Sequence, residues 1–288
     1  MRIPAILIAF LFAAQANAAC PPVAAMLPLK AAKWVVDDPV QRQALALNML
    51  DCLADPDPAL RDDIGFESLQ MWMRTERLDP ATVAAIHSAL LTRLKTPDAR
   101  GFAQPFAALG LAEIARMDRR KAFLTGDARA EMVRAASTYL AGVRDYRGFD
   151  TKDGWRHGVA HGADLMLQLA LNPLLDKAAH ETMLAAIGAQ VVAADSHFYI
   201  YGEGERLMAP VFYLARRDTL SAEDWDAWFA RLVGESGGRP DRTQAPLARR
   251  HNLQGFLLPL YASLSESADS AQRARLLPVV QKWLKRLG

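Results

Sequence analysis

Apolar residues recur three and four positions apart along most of this chain, and runs that alternate apolar with polar residues are almost absent. That period gathers apolar side chains on one face of a helix. It predicts helices over 40–54, 58–75, 80–95, 99–117, 128–144, 154–171, 178–193, 203–216, 222–234, 246–264 and 270–287. Several starts carry residues suited to the free backbone amides of a first turn: Asp57 before Pro58, Asp79 before Pro80, and Ser221 with Asp224 three positions on. The exception is 195–202, whose alternation reads as extended and puts His197, Tyr199 and Tyr201 on one face. The segment 234–240 reads as a glycine-rich loop without chemistry.

Short breaks between successive helices make this an all-α chain. Arginines near the beginnings of alternate helices, Arg61, Arg100, Arg156, Arg206 and Arg250, stand 39, 56, 50 and 44 residues apart. Those gaps approach the two-helix period of HEAT-type repeats, with the longer ones absorbing loops. The expected architecture is a helical-hairpin array, either a HEAT-like α-α superhelix or, with the hairpins closed into a ring, an α/α toroid. Equivalent helices then stack side by side, and the residues after the arginines, among them Asp62, His157 and His251, line one surface.

A hydrophobic fraction of 51% in 288 residues, rich in alanine and leucine, is enough for a substantial core. The 34 basic and 32 acidic residues nearly cancel, and no basic run is interleaved with aromatic residues. Nucleic acid is therefore not an expected partner. Met1-Arg2, the apolar run from Ile3 to Ala14 and the small residues Ala16-Asn17-Ala18 have the layout of a secretory signal peptide over 1–18, too short to span a bilayer. A single all-helical domain over 19–288 is then expected in the periplasm or outside the cell, with no transmembrane helix. Cys20 and Cys52 are the only cysteines, and in an oxidising compartment a disulfide between them is the expected arrangement. Closing that loop contributes about 3–4 kcal/mol in the chain-entropy treatment. The lesser reading of Cys20 is a lipoprotein anchor, for which Asn17 replaces the usual aliphatic residue.

The densest candidate chemistry lies in Gly154-Trp155-Arg156-His157-Gly158-Val159-Ala160-His161-Gly162-Ala163-Asp164. On one helix, His157, His161 and Asp164 share a narrow sector, flanked by a strip of Gly154, Gly158 and Gly162. Three glycines inside a helix cost about 2–3 kcal/mol relative to alanine, so close packing or a closely approaching ligand must offset them. The linker 147–153 leads in, with Thr151 or Asp153 as the expected N-cap. The histidine spacing also suits a divalent metal, with His157 and His161 as ligands and Asp164, Glu203 or Glu205 completing the set. It departs from the zinc-protease pattern, because Gly158 stands where that motif has its glutamate.

A second cluster, Tyr201-Gly202-Glu203-Gly204-Glu205-Arg206, sets carboxylates at a helix start. Trp155, Tyr199 and Tyr201 are candidate apolar platforms for a carbohydrate or peptide. Trp72, Trp225, Trp228 and Trp283 read as core, and His87 and His180 as surface or half-buried residues.

The motifs GWRHGVAHGADL, RGFDTKD and HFYIYGEGERL, with DPALRDDIGFESLQMWM upstream, resemble the bacterial family known as domain of unknown function 2785, over roughly 55–216. The resemblance implies an all-helical domain and brings no established site residue. His157-Gly158 and His161-Gly162 are also similar to histidine-glycine motifs of the lanthionine cyclases, which are α/α toroids. Those enzymes use cysteine metal ligands, and Cys20 and Cys52 match no such motif.

The sequence thus points to an exported helical-repeat protein that binds a ligand or protein partner of the cell envelope. The binding candidates are Trp155, Arg156, His157, His161, Asp164, Tyr199, Tyr201, Glu203, Glu205 and Arg206. The alternative is an envelope glycan or peptide hydrolase or lyase with His161 as base and Asp164 or Glu205 as its carboxylate partner.

Overall fold

A computed structural model describes residues 20–235 and 243–287, and these are almost entirely helical. The first helix, α1 (Val23–Ala31), is followed by α2 (Pro39–Cys52), the single turn α3 (Pro58–Leu60), a π-helical segment Arg61–Phe66, and α4 (Glu67–Arg74). Next come α5 (Pro80–Lys95), α6 (Ala103–Arg120) and α7 (Gly126–Gly142). A hairpin of β1 (Phe149–Asp150) and β2 (Gly154–Trp155) precedes α8 (Gly158–Ala170). The remainder is α9 (Lys177–Val191), α10 (Glu203–Leu214), α11 (Ala222–Glu235), α12 (Gln244–Glu266) and α13 (Ser270–Leu287).

The helices pack in two rows. One runs α4, α6, α8, α10, α12 and the other α2, α5, α7, α9, α11, α13, each helix against its successor. The rows are joined through α2 with α4, α5 with α6, α7 with α8, α9 with α10 and α12 with α13. This is the expected helical-hairpin array. The two ends of the first row, α4 and α12, share no substantial packing among the described residues, which favours the superhelical arrangement over a closed toroid. Arg100, Arg156 and Arg206 fall in the first turn of a first-row helix or just before it, Arg61 opens the π-helical segment ahead of α4, and Arg250 is the seventh residue of α12. Side-chain rungs tie that row together: Arg74 to Glu113 (2.5 Å), Arg119 to Gln168 (2.7 Å) and Arg206 to Asp164 (2.5 Å).

Asp57 and Asp79 cap their helices as expected, and Ser221 and Asp224 exchange hydrogen bonds in a capping box. Trp72, Trp225, Trp228 and Trp283 are buried in the core. Cys20 and Cys52 form a disulfide that ties the start of the described chain to α2. The signal-peptide region and most of the glycine-rich 234–240 loop lie outside the described residues.

Other expectations fail. His180 is fully buried, with its Nδ1 2.7 Å from Thr219 Oγ1, and His87 is also buried. The segment 195–202 forms no strand. His197 and Tyr199 gather around Tyr146, whereas Tyr201 departs to Trp155 and His157. Finally, α8 begins at Gly158, four residues later than its apolar period suggests.

Candidate ligand site around the paired histidines

The late start of α8 is imposed by tertiary contacts. Asp150 accepts the backbone amides of Lys152 and Asp153 (3.0 and 2.7 Å), which turns the chain into the hairpin, so neither Thr151 nor Asp153 caps the helix. Arg156 then clamps the turn, donating to Asp150 and Asp153 at 2.8 and 2.9 Å. Its Nε reaches the Arg100 carbonyl (3.2 Å), and its guanidinium lies over the Phe102 ring. Arg156 thus fixes the hairpin that leads into α8.

Gly154 has φ +70°, and a Cβ there would stand 3.1 Å from Pro58 Cβ and 3.3 Å from Arg61 Nη2. That Arg61 is completely buried. It donates to the carbonyls of Asp55, Pro56 and Asp153, pairs with Asp62 at 2.7 Å, and lies over Phe102 and Phe106. Burial raises the Asp62 carboxyl pKa, and the Arg61 charge opposes the rise. The π-helical register that starts at Arg61 brings this charge under the hairpin; such registers recur at functional sites.

His157 is the residue before α8 and adopts the left-handed conformation, φ 52° and ψ 42°. For a residue with a Cβ this costs about 1–2 kcal/mol. The conformation sets the imidazole 4.0 Å, centroid to centroid, from the Trp155 ring. His161 follows in the first turn of α8, its ring 5.9 Å from that of His157 and 5.0 Å from Phe106. Trp155 touches Phe149 (5.0 Å) and Tyr201 (5.6 Å). Tyr201 fits because Gly148 has no side chain: a Cβ there would lie 2.0 Å from its ring. The result is a continuous aromatic cluster. It runs from Phe149 and Trp155, which are exposed, through His157 to the buried His161 on Phe106.

Both histidines are held neutral. Burial, reinforced by the Arg206 charge, lowers His157 to a pKa of about 4. Burial, then the neighbouring His157 and Arg206, lowers His161 to about 3. His161 Nδ1 is buried without a hydrogen-bond partner. His157 Nε2 is likewise buried and unpartnered. Unpaired buried polar atoms cost about 1–3 kcal/mol each, and a ligand that supplies the missing hydrogen bond relieves the cost.

The carboxylates do not serve these histidines. Asp164 pairs with Arg206; burial raises its pKa against that charge. Glu203 is buried and accepts the Tyr201 amide (2.9 Å). Glu205 is exposed and lines a cavity of about 200 Å³ with Glu203, His251 and Asn252. Tyr199 is buried behind the site, donating to Gln190, and is no platform. Among the described residues, no three His, Cys, Asp or Glu side chains are grouped to hold a metal ion. The carboxylates named as third ligand are committed or point elsewhere. Phe106, Phe149 and Arg61 belong to the site although the sequence motifs did not single them out for it. Phe149 sits in the RGFDTKD linker, but nothing local in the sequence marks Phe106.

The glycine strip is divided between two jobs. Gly154 belongs to the hairpin, whereas Gly158 and Gly162 face α7. A Cβ at Gly162 would stand 3.0 Å from Leu140 Cδ1 and 3.2 Å from Tyr139 Cε1. The Tyr139 hydroxyl donates to the Gly158 carbonyl (3.1 Å).

No curated protein and no solved structure matches this chain. A family model described as a protein of unknown function, DUF2785, matches residues 90–262, which takes in the hairpin, α8 and α10 but leaves out the upstream Asp57–Met73 motif. With more than half of its length covered by that model, the chain belongs to the DUF2785 family.

Proposed function

We propose that this is an exported helical-repeat protein whose paired histidines and aromatic cluster bind a glycan or peptide fragment of the cell envelope without turning it over. The observation that carries the reading is the pair of buried, neutral imidazoles with unpartnered nitrogens at the inner end of an aromatic cluster whose outer rings, Phe149 and Trp155, are exposed. A hydroxyl or amide N–H would satisfy the nitrogens, and the apolar face of a sugar or side chain would cover Trp155 and Tyr201.

Binding suits this arrangement better than acid–base chemistry. A general base works best with a pKa near the ambient pH, and an orienting carboxylate raises an imidazole toward that value. Here both imidazoles are shifted to about 4 and 3, and the nearby Asp164 is engaged by Arg206. The signal-peptide pattern and the disulfide support placement outside the cytoplasm.

Isothermal titration with soluble muropeptides tests the reading. We expect saturable binding to the wild type, weakened at least tenfold in Trp155→Ala, with the muropeptides recovered chemically intact. No heat of binding from any fraction would reject an envelope glycan or peptide as the ligand. Cleaved products would transfer the site to the hydrolase or lyase reading.

A further inference from the structure

The face of α8 that carries His161 and Asp164 continues to Gln168, two turns beyond His161 and about 10 Å along the axis. There Gln168 accepts a hydrogen bond from Arg119 Nε of α6 (2.7 Å). The Tyr213 hydroxyl of α10 lies near enough to act on the same guanidinium. The three helices that build the histidine site thus meet again at an arginine.

Two more arginines share this place. Arg116 and Arg119 are an i, i+3 pair on α6, and Arg116 and Arg120 an i, i+4 pair. Burial, then the charges of Arg116 and Arg120, lowers the Arg119 pKa, so the three guanidiniums stand close enough to repel one another. Both carboxylates of α6 are engaged elsewhere. Glu113 accepts from Arg74 at 2.9 and 2.5 Å and from Gln70 at 3.1 Å. Asp118 turns inward to Arg129, Asn172 and the amides of Phe123 and Leu124. Neither Arg116 nor Arg120 forms an ion pair among the described residues, and Arg119 commits only its Nε, to a neutral partner. Around α6, Glu113 reaches toward α4 and Arg119 toward α8, and the half-buried Arg116 falls between them. The helix dipole favours cations in this last turn. It does not account for three converging guanidiniums with both carboxylates turned away.

We propose that this arginine cluster binds the anionic end of the ligand whose body occupies the histidine site, and that the ligand is therefore a fragment bearing a free carboxylate. The inference rests on the histidine site holding an envelope fragment. The forked N–H groups of a guanidinium match a carboxylate, and about three extended peptide residues span 10 Å.

Isothermal titration at low salt compares muropeptides that have free stem carboxylates with the same compounds amidated at those groups. The wild type is expected to bind the free acids at least tenfold more tightly. Arg116→Gln/Arg120→Gln should bind the two forms alike and melt with the wild type; Arg119 is left in place because it ties α6 to α8. Trp155→Ala should weaken binding of both forms. Equal affinity of the two forms for the wild type, or a preference that survives in the double variant, would overturn the proposal and leave the histidine site standing. A carboxylate preference indifferent to Trp155→Ala would take the fragment off the histidine site and reject the shared ligand. No binding of either form would reject both readings.

Discussion

His161 has its chemistry set by where it sits. The ring packs on Phe106 and is shielded from water, so a positive charge on it is unfavourable. Its pKa is about 3 in the folded protein and about 6.5 when unfolded. Below that higher value the unfolded chain takes up a proton that the folded chain refuses. The stability contributed by neutral His161 is therefore complete above about pH 6.5 and falls as the pH drops toward the folded pKa. Between pH 7 and pH 5 this residue accounts for a loss of about 2 kcal/mol. Urea unfolding of the wild type and His161→Gln at both pH values measures it: the variant should show a smaller acid loss by about that amount. Identical pH slopes would mean that His161 titrates in the fold as it does in the unfolded chain. At the neighbouring position, Asn tolerates left-handed backbone better than most residues. His157→Asn is therefore expected to melt close to the wild type, with stability changed by no more than about 1 kcal/mol, yet to lose muropeptide affinity. A large drop in melting temperature would make the His157 ring a structural prop.

Among the elements, α8 is the one on which both site and scaffold depend. Its Gly162 meets Tyr139 and Leu140 of α7, and most of its length is buried. Gly162→Val should cost about 1–3 kcal/mol through overpacking, read as a lower denaturation midpoint with the far-ultraviolet helical signal retained. An unchanged midpoint would show that α7 and α8 do not pack through this strip. The same helix marks where sequence reading succeeds and fails. Its existence, its apolar face and its closeness to a partner were legible from the period and the glycines. Its start was not, because Arg61, 92 positions before Asp153, decides it by donating to the Asp153 carbonyl and lying against Gly154. The π-helical segment has the same origin: a register shift that aims one buried arginine leaves no periodic trace. The missed α1 carries Pro28 inside it, which interrupts the expected pattern.

Across the whole molecule, the repeat of arginines at helix starts proved a sound guide to which helices form a row, since α6, α8, α10 and α12 all follow or contain one. It did not show what those arginines do. Arg61 and Arg156 hold the hairpin, Arg206 draws Asp164 away from His161, and Arg100 offers its carbonyl to Arg156. The stacked architecture brings Phe106, His161 and Tyr201 together from three separate elements, and this is why the composition of the site exceeded any local motif. The muropeptide reading depends on that convergence. The most direct test is nitrogen-15 NMR of the histidine rings at pH 6, with and without soluble muropeptides. Neutral rings are expected for His157 and His161, with a shift of His161 Nδ1 and His157 Nε2 when fragments are added. Protonated rings at that pH, or resonances that stay fixed at saturating fragment, would contradict the muropeptide reading.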